Sequence, residues 1–184
     1  MEKCFDFVDR GTIWKITYDT SGNYRNWVIL EQKSQNIQIK KKIPFIMFNP
    51  GSFNNEENFS KDKTFQTLLK MFINSGYQIE VLNLFNISEK DKKKLRMMQD
   101  CIRDNGNPII GKLKRYQEGD KVVIQWGKLE KYAEAKAKLV FNTIKKASLQ
   151  EIGLKKDNRF YYHPLKILWE NKISEFRQKI LSGL

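Results

Sequence analysis

The sequence predicts an α/β fold, a three-layer α/β/α sandwich around a central, mainly parallel four-stranded sheet, with an added N-terminal β-hairpin. Two observations predict it. Short apolar runs with strand character alternate with segments of helical periodicity, which is the pattern of parallel strands joined by helical crossovers. The chain has 184 residues, enough for one domain with one core. We expect a single domain, residues 1–184, with a β-rich accessory element at residues 1–42 and the core at residues 43–184.

The N-terminal hairpin is predicted from two aromatic, β-rich runs at residues 12–18 and 26–31. The segment between them, Asp19-Thr20-Ser21-Gly22-Asn23, consists of residues that favour turns. We interpret the pair as an accessory element ahead of the main sheet.

The core is predicted from runs that alternate along the rest of the chain. Strands are expected at residues 43–48, 79–84, 121–126 and 149–152, and helices at residues 65–73, from residue 88 to about 102, and at residues 129–146. Because parallel strands connected by right-handed crossovers end at the same side, the loops after these strands should open at one edge.

That edge carries the candidate functional residues, because ligands of open α/β sheets bind outside the carboxyl ends of the strands. Asn49-Pro50-Gly51 ends the first core strand, and Asn83 lies at the end of the second. Trp126-Gly127-Lys128 follows the third, and His163-Pro164-Leu165 comes later in the chain. A neutral histidine and an asparagine can together hydrogen-bond the edge of a base and a water molecule.

Charge and composition restrict the possible partners. The formal net charge is +13, which suits a polyanion, and nucleic acid is the expected partner. The alternative is that the lysines only solvate the faces of helices. The two cysteines and the single histidine lack the spacing of a metal site, so we expect no metal and no cofactor. No apolar run reaches the roughly 20 residues that cross a bilayer, so we expect a cytoplasmic monomer that does not bind membranes.

Read in order, these motifs resemble those of the uracil-DNA glycosylase superfamily. They are Met47-Phe48-Asn49-Pro50-Gly51, Val81-Leu82-Asn83-Leu84, Ile124-Gln125-Trp126-Gly127-Lys128 and His163-Pro164-Leu165. The last three also resemble a nearer, uncharacterised bacterial family with N-P-S-T-A-D, N-L-F, W-G and H-P-L motifs. The resemblance covers about residues 43–182 and implies a uracil-DNA glycosylase-like core.

The resemblance implies two catalytic residues and several contacts to the flipped base. Asn49 would position the attacking water, and His163 would stabilise negative charge on the departing base. The expected base-binding residues are Asn83, Gly51, Phe53 and Phe59: Asn83 would read the base edge, and Phe53 or Phe59 would stack on it. Gly51 stands where uracil-specific members carry a tyrosine, which implies a roomier pocket.

The resemblance also implies contacts to DNA outside the base pocket. Gly127 and Lys128 would hold a phosphate, while Leu165 would act as the wedge of a shortened closing loop that ends at Lys166. No aspartate occupies the water-activating position, so a carboxylate from Glu56, Glu57 or Asp62 is expected to assist if one is needed.

The function that follows is that of a monofunctional DNA glycosylase, which flips a base and hydrolyses its N-glycosidic bond to leave an abasic site. A modified or bulky base is expected rather than strictly uracil. Modified phage DNA would be a suitable substrate, and antiviral defence or DNA repair the corresponding role. Two alternatives remain open at this point: a DNA-binding module on the same fold without catalysis, and an enzyme acting on a nucleotide or nucleoside.

Overall fold

A seven-stranded mixed β-sheet forms the centre of the molecule. The computed structural model describes residues 1–19, 25–33, 41–48, 56–87, 108–157, 160–161, 163–169 and 171–182. The strands of this sheet are β1 (Glu2–Asp9), β2 (Thr12–Asp19), β3 (Trp27–Lys33), β4 (Lys41–Met47), β5 (Tyr77–Asn83), β6 (Lys121–Ile124) and β7 (Gln150–Ile152). Their order is β1-β2-β3-β5-β4-β6-β7. A separate antiparallel pair is formed by β8 (Lys155–Asp157) and β9 (Phe160–Tyr161).

The predicted fold class is wrong in how the strands assemble. The pairs β4–β5, β4–β6 and β6–β7 are parallel, but β3 pairs antiparallel with β5 and carries β2 and β1 with it. The sheet is therefore one mixed layer of seven strands and not a four-stranded parallel sheet with a detached hairpin. The pairing of Trp27 with Leu82, which are far apart in sequence, joins the two parts, and strand patterns alone do not reveal such a contact.

Strand β1 was not expected from the sequence, although Phe5 and Phe7 alternate with polar or charged residues as in a half-buried strand. It pairs with β2 along its whole length, from Glu2 opposite Asp19 to Asp9 opposite Thr12. Arg10 and Gly11 form the two-residue connection, with φ angles of 50° and 75°. Positive φ at both central residues is the requirement of the type I′ turn, whose twist matches that of a hairpin. The local turn thus fixes the register of β1 on β2.

Helices pack on both faces of the sheet. They are α1 (Glu56–Ser60), α2 (Lys63–Phe72), α3 (Pro108–Leu113), a 3₁₀ turn (Lys131–Ala133) continued by α4 (Glu134–Lys146), α5 (Pro164–Trp169) and α6 (Ile173–Leu181). The first core cluster joins one face to α2, α5 and α6 through residues such as Leu68, Ile167 and Phe176. The second joins the other face to α3 and α4 through residues such as Leu113 and Val140. The predicted helix that starts at residue 88 lies outside the described residues.

Alternation along the parallel strands separates the two faces. Phe45, Val81 and Val123 belong to the first cluster, whereas Ile46, Leu82 and Ile124 belong to the second. Successive side chains of a strand point to opposite faces, so odd- and even-numbered residues of a strand contact different sets of helices.

Among the described residues, no helix is both long and apolar enough to cross a membrane.

Candidate functional site

The candidate site lies where β4, β5 and β6 end together. Met47 pairs with Asn83 in the parallel register, and the N–H of Gln125 donates to the Ile46 carbonyl at 2.9 Å. The three residues Met47, Asn83 and Gln125 are therefore neighbours at the carboxyl edge of the sheet. Asn83 and Gln125 lie two residues beyond Val81 and Val123, so their side chains point to the face covered by α2, α5 and α6.

Asn83 and Gln125 are buried amides with atoms that lack hydrogen-bond partners. Asn83 is 4% exposed and Gln125 is 0% exposed. Within the described part of the chain, Nδ2 of Asn83 and both Nε2 and Oε1 of Gln125 have no partner. Most buried side-chain polar groups are paired, and an unpaired one destabilises the folded state by about 1 to 3 kcal/mol. Such atoms at a ligand-binding edge indicate groups that a ligand or water would satisfy.

Gln125 is a residue that the sequence analysis did not single out. It stood inside the motif that carried the resemblance, but no role was given to it. The signal that could have found it is a polar side chain placed directly after an entirely apolar strand segment, Val122-Val123-Ile124. Because β4 lies between β5 and β6, the backbones of Asn83 and Gln125 are two strand spacings, about 10 Å, apart. Met47, on β4 between them, belongs to the same core cluster as Val81 and Val123 and so points to the same face.

Gly127 and His163 lie together, as their motifs predicted. Gly127 has a φ of +78°, which favours glycine, and a Cβ built on it would lie 3.7 Å from the Cβ of His163. The Tyr161 N–H donates to the Gly127 carbonyl at 3.3 Å, so the chain that leads to His163 is attached to the segment after β6. Residues 36 positions apart in sequence are thus brought to one edge.

Tyr161 holds the chain that precedes His163 against the segment that follows β6. Its ring packs edge-on against Trp126 at 5.4 Å between centroids, and its hydroxyl donates to Glu151. A Cβ added at Gly153 would lie 2.6 Å from the Tyr161 ring, closer than real Cβ contacts. Only glycine therefore allows the ring to lie against this backbone, and the close packing positions the backbone that precedes His163.

The hydrogen bonding of His163 indicates its tautomer. The Leu165 N–H donates to Nδ1 of His163 at 3.3 Å, so Nδ1 acts as an acceptor. A neutral imidazole then carries its hydrogen on Nε2, which is a donor. The His163 carbonyl accepts from the N–H groups of Lys166 and Ile167 and so begins α5. His163 is half-buried at the start of this helix.

The other predicted DNA contacts surround this histidine. Lys128 is exposed beside Gly127, and Leu165 and Lys166 are half-buried in the first turn of α5. Lys128 and Lys166 thus place two cations on segments that meet at His163. Leu165 stays on a short helix, and nothing in its burial distinguishes a wedge from an ordinary packing residue.

Phe59 cannot stack on a base where it lies. It is 0% exposed and packs against Phe5, Phe7 and Phe65 at centroid distances of 5.5, 5.2 and 5.2 Å. The sequence prediction for Phe59 is therefore corrected: an aromatic residue close to the loop after β4 belongs to the core, because β1 lies on the sheet and brings Phe5 and Phe7 to it. Asn49, Gly51 and Phe53 lie outside the described residues.

The three carboxylates considered as assistants differ in their surroundings. Glu56 and Glu57 are exposed in the first turn of α1, and Glu57 pairs with Lys61. Asp62 caps α2, since its side chain accepts hydrogen bonds from the N–H groups of Thr64 and Phe65. That structural role explains Asp62 without catalysis.

Arg25 adds a buried positive charge near the edge, which the sequence analysis also missed. It is 4% exposed, and its guanidinium lies 5.5 Å from the centre of the Tyr18 ring. The backbone N–H of Arg25 donates to the carbonyl of Asn86, just beyond β5. Burial lowers the pKa of Arg25 to about 10, although the charges of Tyr18 and Asp62 oppose that shift. The group stays protonated at neutral pH and adds to the positive field.

One comparison with solved structures concerns a Bacteroides fragilis protein described as a putative acetyl xylan esterase. The chain shares 15% sequence identity with its crystal structure, at a TM-score of 0.39. The similarity covers 78% of this chain and 45% of that protein, so this chain spans less than half of the other's length. At that TM-score the similarity supports no conclusion about this chain. No curated protein matches the sequence.

The family comparison corrects the resemblance inferred from the motifs. No uracil-DNA glycosylase family matches the chain, so the assignment to that superfamily is wrong. Four short motifs in order are a weak basis for a family assignment, because residues such as glycine, proline and asparagine are also common in ordinary turns and loops. The model for DUF1643, described as a protein of unknown function, matches residues 25–165, from just before β3 into α5. The chain therefore belongs to the DUF1643 family.

Proposed function

We propose that this protein is a DNA glycosylase, which binds a base at the carboxyl edge of the parallel strands and hydrolyses its N-glycosidic bond. The observation that carries the proposal is the pair of buried amides, Asn83 and Gln125: among the described residues, Nδ2 of Asn83 and both side-chain polar atoms of Gln125 have no hydrogen-bond partner. Amides offer a donor and an acceptor in one plane, and the edge of a base offers the complementary groups. The base would supply the missing hydrogen bonds.

The charge of the protein supports a polyanion as the substrate. The formal net charge is +13, and Lys128 and Lys166 flank the Gly127–His163 contact. Phosphate contacts by such lysines supply most of the sequence-independent affinity for DNA. Gly127 and Lys128 are accordingly proposed to hold a phosphate next to the base that enters the site.

The chemistry is a hydrolysis in which the bond between C1′ and the base nitrogen breaks and a water oxygen bonds to C1′. The transition state carries positive charge on the sugar and negative charge on the leaving base. His163 donates from Nε2 to the base, which stabilises the negative charge more in the transition state than in the ground state. Asn49, two residues after the end of β4 in the sequence, is proposed to position the water, and the proposed reaction needs no metal or cofactor.

The proposed substrate is a modified or bulky base rather than uracil alone. Gly51 has no side chain, and this is proposed to leave room for a substituent on the base. Phage genomes with modified bases would be suitable substrates, and the enzyme would then act in defence against phage.

The test is an assay for abasic sites on several DNAs. Purified protein is incubated with uracil-containing DNA, in single-stranded and duplex form, and with modified phage DNA, and alkali then cleaves the strand at abasic sites. We expect cleavage of at least one DNA and its loss in Gln125→Met and His163→Ala. Gln150→Met is the matched control, because Gln150 is exposed at the amino end of the parallel strand β7. If no DNA acquires abasic sites, the proposal is overturned.

Binding measurements separate this proposal from a module without catalysis. We expect His163→Ala to keep the DNA affinity of the wild-type protein within a few fold while abolishing cleavage. Should His163→Ala and Gln125→Met both leave every measured effect on DNA unchanged, the edge is not the functional site. Absence of any salt-dependent binding to DNA would instead favour an enzyme that acts on a nucleotide or nucleoside.

A further inference from the structure

An open groove of about 430 Å³ lies between α3 and α4. Helix α4 contributes one side of it through residues at the spacing i, i+3, i+4 and i+7, which are Leu139, Asn142, Thr143 and Lys146. Because α4 connects the parallel strands β6 and β7, it begins at the carboxyl edge and leads to the opposite edge of the sheet. The groove, on the second half of this helix, is therefore separate from the site at Asn83 and Gln125.

The groove presents apolar surface to solvent. Ile110, Leu139 and Ala147 line it, and Leu139 is 54% exposed. The side of α4 that packs on the sheet is formed by other residues, such as Val140 and Ile144, which are buried. Leu139 lies outside that stripe, where an amphipathic helix ordinarily carries polar residues. Contiguous apolar surface left exposed in this way indicates a place where another molecule binds.

Positive charge surrounds this apolar surface. Lys114 and Lys146 line the groove, and both are exposed. Neither of them forms an ion pair with another residue of the described part of the chain. The stretches that form the groove, residues 108–117 and 135–150, contain lysines and an arginine but no aspartate or glutamate. The groove therefore attracts a partner with negative charge and repels one with positive charge.

The shape and charge of the groove indicate what binds there. A small ligand is normally buried over most of its surface, and a groove with exposed walls is too open for that. DNA contacts are mainly to phosphates, which would leave Leu139 without an apolar partner. A second copy of this chain carries the same net charge of +13 and would be repelled. An amphipathic helix with acidic residues on its outer face supplies both the apolar and the negatively charged groups.

We propose that the groove between α3 and α4 binds an acidic amphipathic helix of a partner protein. The α4 side from Leu139 to Lys146 is about 10 Å long, which equals two turns of a helix. Apolar side chains of the partner contact Leu139 and Ile110 and supply most of the affinity. Carboxylates beside them pair with Lys114 and Lys146, which speeds association and sets the orientation. This interaction does not depend on the proposed glycosylase function.

The test uses a labelled peptide and the whole chain. The probe is a fluorescein-labelled peptide of about twelve residues, with leucines on one helical face and glutamates on the other. Binding is measured by fluorescence anisotropy. One matched peptide has serines in place of the leucines, another has lysines in place of the glutamates, and we expect both to bind at least about tenfold more weakly. No binding of the first peptide, or equal binding of the serine peptide, would overturn the proposal.

Substitutions locate the binding on the protein. We expect Leu139→Ser to weaken the affinity for the leucine–glutamate peptide by at least about tenfold and Lys146→Glu by about fivefold. Ile13→Ser and Lys63→Glu are the controls, because Ile13 is an exposed apolar residue of β2 and Lys63 an exposed lysine of α2. Their affinities should stay within about twofold of wild type, since solvent screens distant charges. All four residues are exposed, so each variant should keep the urea midpoint of the wild-type protein.

A DNA duplex is the second probe and separates the two classes of partner. Its affinity should be the same for Leu139→Ser and wild type. Loss of DNA binding in Leu139→Ser would assign the groove to nucleic acid and so overturn the proposal. An unchanged affinity of Leu139→Ser for the leucine–glutamate peptide would overturn it as well, because the peptide would then bind elsewhere.

Discussion

Glu80 and Asn83 are buried polar residues on the same strand, β5, that differ in whether their side chains have hydrogen-bond partners. Glu80 is 3% exposed and accepts hydrogen bonds from Nζ of Lys112 at 2.8 Å and from the hydroxyl of Tyr116 at 2.6 Å. Asn83 is 4% exposed, and its Nδ2 has no partner among the described residues. Two residues only three positions apart on β5 thus differ: the Glu80 carboxylate has hydrogen-bond partners, whereas Nδ2 of Asn83 has none among the described residues.

The difference distinguishes a structural cluster from a candidate site. Burial and the charge of Glu80 raise the pKa of Tyr116, so its hydroxyl stays protonated and remains a donor. The Lys112 ammonium also lies over the Trp27 ring, at 4.5 Å from its centre. Each member of this cluster is explained by its neighbours within the protein. Asn83 and Gln125 are not, and for that reason we look for a ligand at the carboxyl edge and not at Glu80.

The largest expected change in stability comes from removing the Lys112 ammonium, which donates a hydrogen bond to Glu80. Lys112→Met keeps most of the packing but leaves a buried carboxylate with one donor, and removing one member of a buried ion pair destabilises a protein by about 3 to 5 kcal/mol. The measurement is the free energy of unfolding in urea. Lys114→Met, two residues further along and exposed, should change it by less than about 0.5 kcal/mol. Equal effects of the two substitutions would remove the contrast between the cluster and the edge.

Gln125→Met should act in the opposite direction. Methionine has nearly the shape of glutamine and no group that needs a hydrogen bond, so we expect the free energy of unfolding to rise by about 2 kcal/mol. The same substitution should abolish cleavage of DNA, which is the pattern of a residue kept for function at the expense of stability. Gln150→Met should change neither quantity. A loss of stability in Gln125→Met would show that Gln125 has a structural role.

Lys136, half-buried in the first turn of α4, predicts a pH dependence of stability, because burial lowers its pKa to about 8. Between about pH 8 and pH 10.5 the folded protein has lost the proton on this amine while the unfolded chain still binds it, so the free energy of unfolding rises with pH. Below about pH 8 both states are protonated and the burial of the charge opposes folding in full. Lys136→Met should therefore be more stable than wild type at about pH 7, by about 1 kcal/mol after solvent screening.

The advantage of Lys136→Met should shrink at about pH 10, where the wild-type amine is neutral in the folded state. Urea unfolding of both proteins at the two pH values measures this difference directly. The matched comparison is Lys138→Met, whose stability relative to wild type should not change between the two pH values. A constant difference between wild type and Lys136→Met would mean that Lys136 keeps an ordinary affinity for its proton.

The smallest effect is expected for an exposed ion pair. Lys33 of β3 and Asp6 of β1 form an ion pair at 2.7 Å, and their side chains are 47% and 53% exposed. Solvent screens such a pair, so Lys33→Ala should lower the free energy of unfolding by less than about 1 kcal/mol. A loss close to that of Lys112→Met would show that burial is not what makes the Glu80 cluster strong.

Much of the local structure could be predicted from the sequence, because it depends on near neighbours. Strands are present in the four segments expected for the core and in the two expected for the hairpin. Their apolar runs and the turn residues that bound them are visible in the chain itself. The assembly could not be predicted, since the pairing of β3 with β5 joins segments about 50 residues apart and depends on complementary faces.

Only part of the candidate site could be predicted from the sequence. Gly127 and His163 meet because each follows a turn signal at the same sheet edge. Phe59 was misplaced because the strand that buries it, β1, was not foreseen. Gln125 was not selected as a site residue, because a missing hydrogen-bond partner leaves no local pattern in the sequence.

By itself, the sequence determined where strands and turns form and that polar residues follow apolar strands at a common edge. The physical reason is that side-chain alternation and the backbone preferences of glycine and proline act over a few residues. Only the tertiary structure decided that the sheet has seven strands, and that Glu80 finds two donors while Asn83 finds none for its Nδ2. Burial and hydrogen-bond satisfaction depend on every element packed around a residue, and these elements come from the whole chain.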